Sequence, residues 1–294
     1  MYARPPRYVE GLPKPGRCVV MGVVNVTPDS FSDGGLWREP EQAISHGRQL
    51  LGEGADILDV GGESTRPGAT RPLVAEELDR VIPVIAALAT EGAVVSVDTM
   101  RAAVAHEALE AGAVLVNDVS GGLADPEILD VVAQHNATYA AMHWRSHADT
   151  MRSHAEYDDV VAEVVKELSM RIETAIAAGI PENRLAIDPG LGFAKSARHN
   201  WSLLAGFEDL HALGQPVLVG SSRKSFLGSL LVDSEGTPRP VLDREDATTA
   251  LTTLAAAAGA WCIRVHAVRA NVDAVKVVER LGSGFAGTEA DLDG

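Results

Sequence analysis

Residues 93–118 read AVVSVDTMRAAVAHEALEAGAVLVND. The stretch opens on a β-branched apolar run, AVVSV, and closes on another, VLV, with an Ala-rich amphipathic pattern over residues 102–111 between them. Continuous apolar runs of this length fit strands covered on both faces, and strands joined through a crossover helix run parallel. The same unit recurs along the chain. Apolar runs begin at Cys18 (CVVMGVV), Asp56 (DILDV), Ala93, Val114, Ala137 (ATYAAM), Leu185 (LAI), Pro216 (PVLV) and Trp261 (WCIRV). Helical patterns occupy residues 41–53, 75–90, 102–111, 126–135, 157–178, a short stretch at 201–210, 246–258 and 272–281. Eight strand–helix units are the number that closes a (β/α)₈ TIM barrel of the α/β class, with eight parallel strands and an active site at their C-terminal rim. The rival, a doubly wound open sheet, shows a GxGxxG turn after its first strand; here that turn reads NVTPDSFSDGG.

The 294 residues carry 41 acidic against 25 basic side chains, a net charge of −16. That balance argues against nucleic acid or an anionic membrane as a partner, since both need a basic surface. No apolar run reaches the roughly 18 residues of a membrane span, and none opens the chain as a secretory signal does, so the cytoplasm is the expected compartment. Two cysteines, Cys18 and Cys262, are too few for a disulfide framework. They fall on the first and last strands, which adjoin in a closed barrel, and are expected as a buried pair of thiols. No linker divides the chain. Residues 1–17, with Pro5, Pro6, Pro13 and Pro15, form an N-terminal extension expected to wrap the outside or fray. Residues 18–282 form one barrel, and residues 283–294 a flexible acidic tail.

Polar residues gather at the C-terminal ends of the runs: Asn25, 61–66 (GGESTR), Asp98, Asn117 and Asp118, His143, Asp188, 221–224 (SSRK), and Arg264 with His266. Each has an ordinary structural reading, such as a helix N-cap for a lone Asp or a turn for Asp188-Pro189-Gly190. Several strand ends carrying acids, amides and bases at one rim, Arg223, Lys224 and Arg264 among them, favour a binding site instead. Arg264 and His266 are two apart on one strand and so share a face.

MGVVNVTPDSFSDGG (21–35), DVGGESTRPGA (59–69), SVDT (96–99), NDVSGG (117–122), DPGLGF (188–193), VGSSRKSF (219–226) and RVH (264–266) resemble, in family order, the motifs of the dihydropteroate synthases, a family of pterin-binding (β/α)₈ barrels. The resemblance spans roughly residues 20–278 and departs from the family at Ala267 and Ala247. It implies condensation of 6-hydroxymethyl-7,8-dihydropterin diphosphate with p-aminobenzoate to give 7,8-dihydropteroate and diphosphate, in folate biosynthesis. On this resemblance Asp98, Asn117, Asp188 and Lys224 bind the pterin. Thr65, Arg66, Arg264 and His266 take the diphosphate, Arg264 as a bidentate fork. Phe31, Pro67 and Ser225 wall the p-aminobenzoate pocket. Asp98, Lys224 and Asp33 act in catalysis, and Asn25 contacts Mg²⁺. Two small-molecule substrates are the implied partners, and a homodimer the implied assembly. A related pterin-dependent methyltransferase, a catalytically silent pterin-binding paralogue, and a Schiff-base aldolase using Lys224 are the alternatives.

Overall fold

The computed structural model describes residues 3–27, 39–63, 71–145 and 155–283. Eight strands, β1 (Val19–Asn25), β2 (Ile57–Gly61), β3 (Val95–Asp98), β4 (Leu115–Asp118), β5 (Thr138–Met142), β6 (Leu185–Asp188), β7 (Leu218–Val219) and β8 (Cys262–Val265), form one sheet in the order β6-β5-β4-β3-β2-β1-β8-β7. Every pairing is parallel. The two ends of this order meet through a bridge between Ile187 and Val217, which closes the barrel.

The helices are α1 (Glu39–Gly52), α2 (Val74–Thr90), α3 (Ala102–Glu110), α4 (Glu127–Gln134), α5 (Val160–Ala177), α6 (Ala197–Ala205), α7 (Phe207–His211), α8 (Ser225–Leu230), α9 (Glu245–Ala257) and α10 (Val268–Gly282). The short pattern at 201–210 is two helices, because the chain turns at Gly206, where a β-carbon would stand 2.9 Å from Val161. The last helix starts four residues earlier than its apolar pattern, at Val268.

Side chains alternate between two layers, as the strand period requires. The outward positions, such as Val20, Leu58, Val97, Val116 and Ile263, pack under the helices. The inward positions begin as an apolar floor of Val19, Met21, Ile57, Leu115, Ala140, Ala186, Leu218 and Cys262. Two residues further along four of those strands, on the same face, stand Asp59, Asn117, Asp188 and Arg264. The interior therefore changes from apolar to polar over one layer.

Residues 3 and 4 pack at the ends of α9 and α7, and the segment that follows crosses the N-terminal mouth instead of fraying. Val9 and Leu12 are buried in the apolar floor at the N-terminal mouth. A backbone bond from Glu10 N to the Asn183 carbonyl (2.8 Å) and a bond from Arg7 Nη1 to the Gly214 carbonyl (2.7 Å) tie the segment across that mouth. A Pro-rich composition reads as frayed coil; two apolar side chains with an open barrel end beneath them decide otherwise. The two cysteines are free and buried thiols at the paired starts of β1 and β8, as expected, though they belong to different layers. Cys18 lies in the outward layer and Cys262 in the inward one. Of the expected acidic tail only Ser283 is among the described residues.

Candidate active site

Asp59 on β2 is fully buried and stands at the centre of the polar layer. Its Oδ2 accepts from Asn117 Nδ2 (3.0 Å) and from Arg264 Nε (2.5 Å). Arg264 Nη2 donates to Asp98 Oδ2 at 2.6 Å. The guanidinium fork of Arg264 is thus divided between two carboxylates, and only Nη1 carries no hydrogen bond among the described residues. One cation between two buried acids leaves an excess negative charge. Burial pushes the Asp98 carboxyl up to about 7; Arg264 opposes that shift and Asp59 adds to it. Burial works against the charge on Arg264, yet Asp59 and Asp98 hold its guanidinium above its ordinary range.

Asp188 closes β6. Its Oδ1 accepts from Gly190 N at 2.7 Å, within the Asp-Pro-Gly turn. Burial raises its carboxyl, and Lys224 opposes the rise. Lys224 donates to the Leu191 carbonyl and lies 4.5 Å from the centre of the Phe193 ring. Burial lowers its ammonium to about 8 against the pull of Asp188. Both groups face the end of β7, where Gly220 leaves room: a β-carbon there would lie 3.7 Å from Asp188 Oδ2 and 3.9 Å from Lys224 Nζ.

The SSRK turn after β7 is held from outside the barrel. Arg223 has φ 60°, a left-handed conformation that strains a residue with a β-carbon. Its N–H donates to Thr248 Oγ1 (3.2 Å), its carbonyl accepts from Arg244 Nη1 (2.9 Å), and its side chain pairs with Glu245. This reversal places Ser222 against His266 Nδ1 (2.9 Å) while sending Lys224 into the barrel. Ser225, the first residue of α8, is exposed at the same rim. Asn25 ends β1 opposite Gly61 and is partly exposed.

The adjoining pair Asn117-Asp118 divides its work. Asn117 faces the interior. Asp118 faces outward and accepts from Ser120 N, Ser120 Oγ, Gly122 N and the Tyr139 hydroxyl, each at 2.7 Å, which fixes the loop after β4. Phe31, Asp33, Thr65, Arg66 and Pro67 lie outside the described residues. Sequence reasoning missed Asp59, which sits inside DILDV and reads as part of an apolar run. The available signal was an acid at an inward position of a doubly covered strand, where a charge needs a partner.

One rim therefore presents a carboxylate, a lysine and an amide toward one space, with an arginine beside them. That set can grip a flat heterocycle with a donor edge and neighbouring acceptors. Among the described residues no cluster of three His, Cys, Asp or Glu could hold a metal ion unaided. A magnesium ion that keeps waters and substrate phosphate oxygens needs far less from the protein, and the Asn25 amide oxygen is a hard donor of the right kind.

The sequence matches the profile of the pterin binding enzyme family over residues 21–266. The dihydropteroate synthase of Mycobacterium leprae (strain TN) is 52% identical over 260 residues, covering 88% of this chain and 92% of the relative. The solved Xanthomonas albilineans dihydropteroate synthase with 4-aminobenzoic acid superposes with a TM-score of 0.82 at 48% identity, over 89% of this chain and 92% of that one. The Yersinia pestis dihydropteroate synthase in a sulfonamide drug complex gives 0.84 at 42% identity, over 92% and 97%.

Proposed function

The chain belongs to the pterin-binding enzyme family, and we infer from that membership that it is a transferase with dihydropteroate synthase activity in folate biosynthesis. It condenses 6-hydroxymethyl-7,8-dihydropterin diphosphate with p-aminobenzoate and releases diphosphate. The observation that carries this reading is the polar layer above the apolar floor, with Asp188, Lys224 and Asn117 turned into one buried space.

In this reading Asp188 accepts from the pterin N–H edge, Asn117 donates and accepts beside it, and Lys224 donates to a ring acceptor. Loss of diphosphate leaves positive charge on the methylene and the ring. Asp98, ionised, is fixed where that charge develops and favours the transition state over the ground state. Arg264 serves two tasks. Nε and Nη2 hold Asp59 and Asp98 in place, and Nη1 with His266 meets the departing diphosphate as single contacts. Thr65 and Arg66 add donors from the second loop, and Phe31, Pro67 and Ser225 receive p-aminobenzoate, whose amine attacks the methylene. Asp33, on the first loop, acts beside the reacting methylene. No covalent enzyme intermediate is needed.

Mg²⁺ belongs to this reading, held by Asn25 together with substrate oxygens and water; when bound it neutralises diphosphate charge. A homodimer fits α9 and α10, which pack on each other and expose Leu254, Val277 and Leu281. A cytoplasmic location accords with the fact that no described helix is long and apolar enough to cross a membrane. The decisive assay follows diphosphate release with the pterin diphosphate, with and without p-aminobenzoate. Release that depends on p-aminobenzoate and is competed by a sulfonamide against p-aminobenzoate alone is expected. Release indifferent to p-aminobenzoate would sink the assignment.

A further inference from the structure

The loop between β6 and α6 supplies two groups that meet Lys224, the Leu191 carbonyl and the Phe193 ring. Behind that loop lies Lys195, for which the reaction above has no use. Its Nζ stands 2.9 Å from His143 Nδ1 and donates to the Phe193 carbonyl at 3.0 Å. His143, fully enclosed at the end of β5, has its Nε2 2.9 Å from Glu167 Oε2 on α5. Arg145 Nε holds the same carboxylate oxygen at 3.2 Å.

The direction of these bonds follows from the partners. A carboxylate only accepts, so His143 Nε2 carries the ring hydrogen and Nδ1 is left as an acceptor. Lys195 must then donate to His143 with one hydrogen and to Phe193 with another. Burial pushes the His143 imidazole down to about 4 and the Lys195 ammonium down to about 7, which suits an uncharged ring. A lysine that donates as an amine adds no second cation beside Lys224.

The backbone around this contact is tightly set. His143 N donates to the Asp188 carbonyl at 2.8 Å. A β-carbon on Gly190 would fall 2.3 Å from the His143 carbonyl oxygen, so the turn can lie there only with glycine. Ala194, between Phe193 and Lys195, has φ 46°. Two backbone turns bend the loop inward, and the Lys195 side chain is what ties its middle to β5.

We propose that Lys195 is a positioning residue for pterin recognition: oriented from α5 through Glu167 and His143, it fixes the Leu191–Phe193 segment and through it the ammonium of Lys224. This rests on the activity inferred above. It predicts an effect on pterin binding, because the segment meets Lys224, the lysine assigned to the pterin.

The test is steady-state kinetics on the full chain. Lys195→Met keeps the apolar stem and removes the donor. It is expected to raise KM for the pterin diphosphate about tenfold, the weight of one lost buried hydrogen bond, a larger change than in KM for p-aminobenzoate. Lys195→Gln, whose amide still donates toward Phe193, is expected to recover part of the loss. His143→Leu removes the anchor from the other side and should shift pterin KM in the same direction, so the question stays decidable if Lys195→Met fails to fold. A lowered melting temperature with wild-type pterin KM in these variants would overturn the proposal. A wild-type protein that forms no dihydropteroate would overturn the activity itself, a separate outcome read in the same assay.

Discussion

Arg264 shows why single residues in this site cannot be assigned one duty each. Its Nε and Nη2 hold Asp59 and Asp98 at 2.5 and 2.6 Å. Arg264→Ala leaves two buried acids without their cation, and removal of one partner from a buried ion pair costs about 3–5 kcal/mol. A large fall in melting temperature is therefore expected together with weaker diphosphate binding, and calorimetry with diphosphate and with the bare pterin separates the two. Unchanged stability would show that Asp59 and Asp98 find another partner. The titration of Asp98 and Lys224 gives a second expectation. Asp98 must be ionised to face the developing cation, and lies near 7; Lys224 must be protonated to donate, and lies near 8. kcat/KM for the pterin diphosphate should rise through the first value, fall through the second, and peak in the narrow window between. The Asp98→Asn variant should lose the acidic limb in whatever activity it retains. Of this chemistry the sequence displays Asp98, Asn117 and Asp188 openly, because each directly follows an apolar run, and Lys224 in the SSRK turn a few residues past another. Asp59 and Lys195 are hidden. One lies inside its run, and the other follows its strand by seven positions and returns to it only through the left-handed turns at Gly190 and Ala194.

The loops differ from the strands in how they are specified. Each strand is set by its apolar run, and all eight runs are strands in the structure. Loop shape is set by contacts from other elements, which no local pattern reveals: Thr248 and Arg244 around Arg223, or His143 behind Gly190. For the same reason the split of α6 from α7 is invisible in composition, since it depends on Val161 of α5 pressing on Gly206. The loop after β6 offers a test. Ala194 is buried at φ 46°, where a β-carbon is strained, and Ala194→Gly should stabilise the protein by roughly 0.5–1 kcal/mol. Thermal unfolding should show a rise of about 1–3 °C. A fall would mean that packing of the Ala194 methyl outweighs the strain.

At the scale of the whole molecule the barrel has two unlike ends. One is closed by Val9 and Leu12, the other holds the polar layer. Replacing both plug residues by serine should cost on the order of 4 kcal/mol from lost apolar burial, measured by urea unfolding, while KM for both substrates stays unchanged. A matching rise in KM would show that the two ends communicate. The barrel also has one thin side. β7 is two residues long and meets β6 only through the Ile187–Val217 bridge, with Ile187 N 3.0 Å from the Pro216 carbonyl. Such a junction is where a closed sheet opens first in local fluctuations, so the Ile187 amide should trade its hydrogen for solvent deuterium sooner than its counterparts on β2 or β3. Asp188 and Lys224 stand on the two lips of this gap. A pterin gripping both is a stitch across it, and the exchange of that single amide becomes a clock on which occupancy of the pocket can be read.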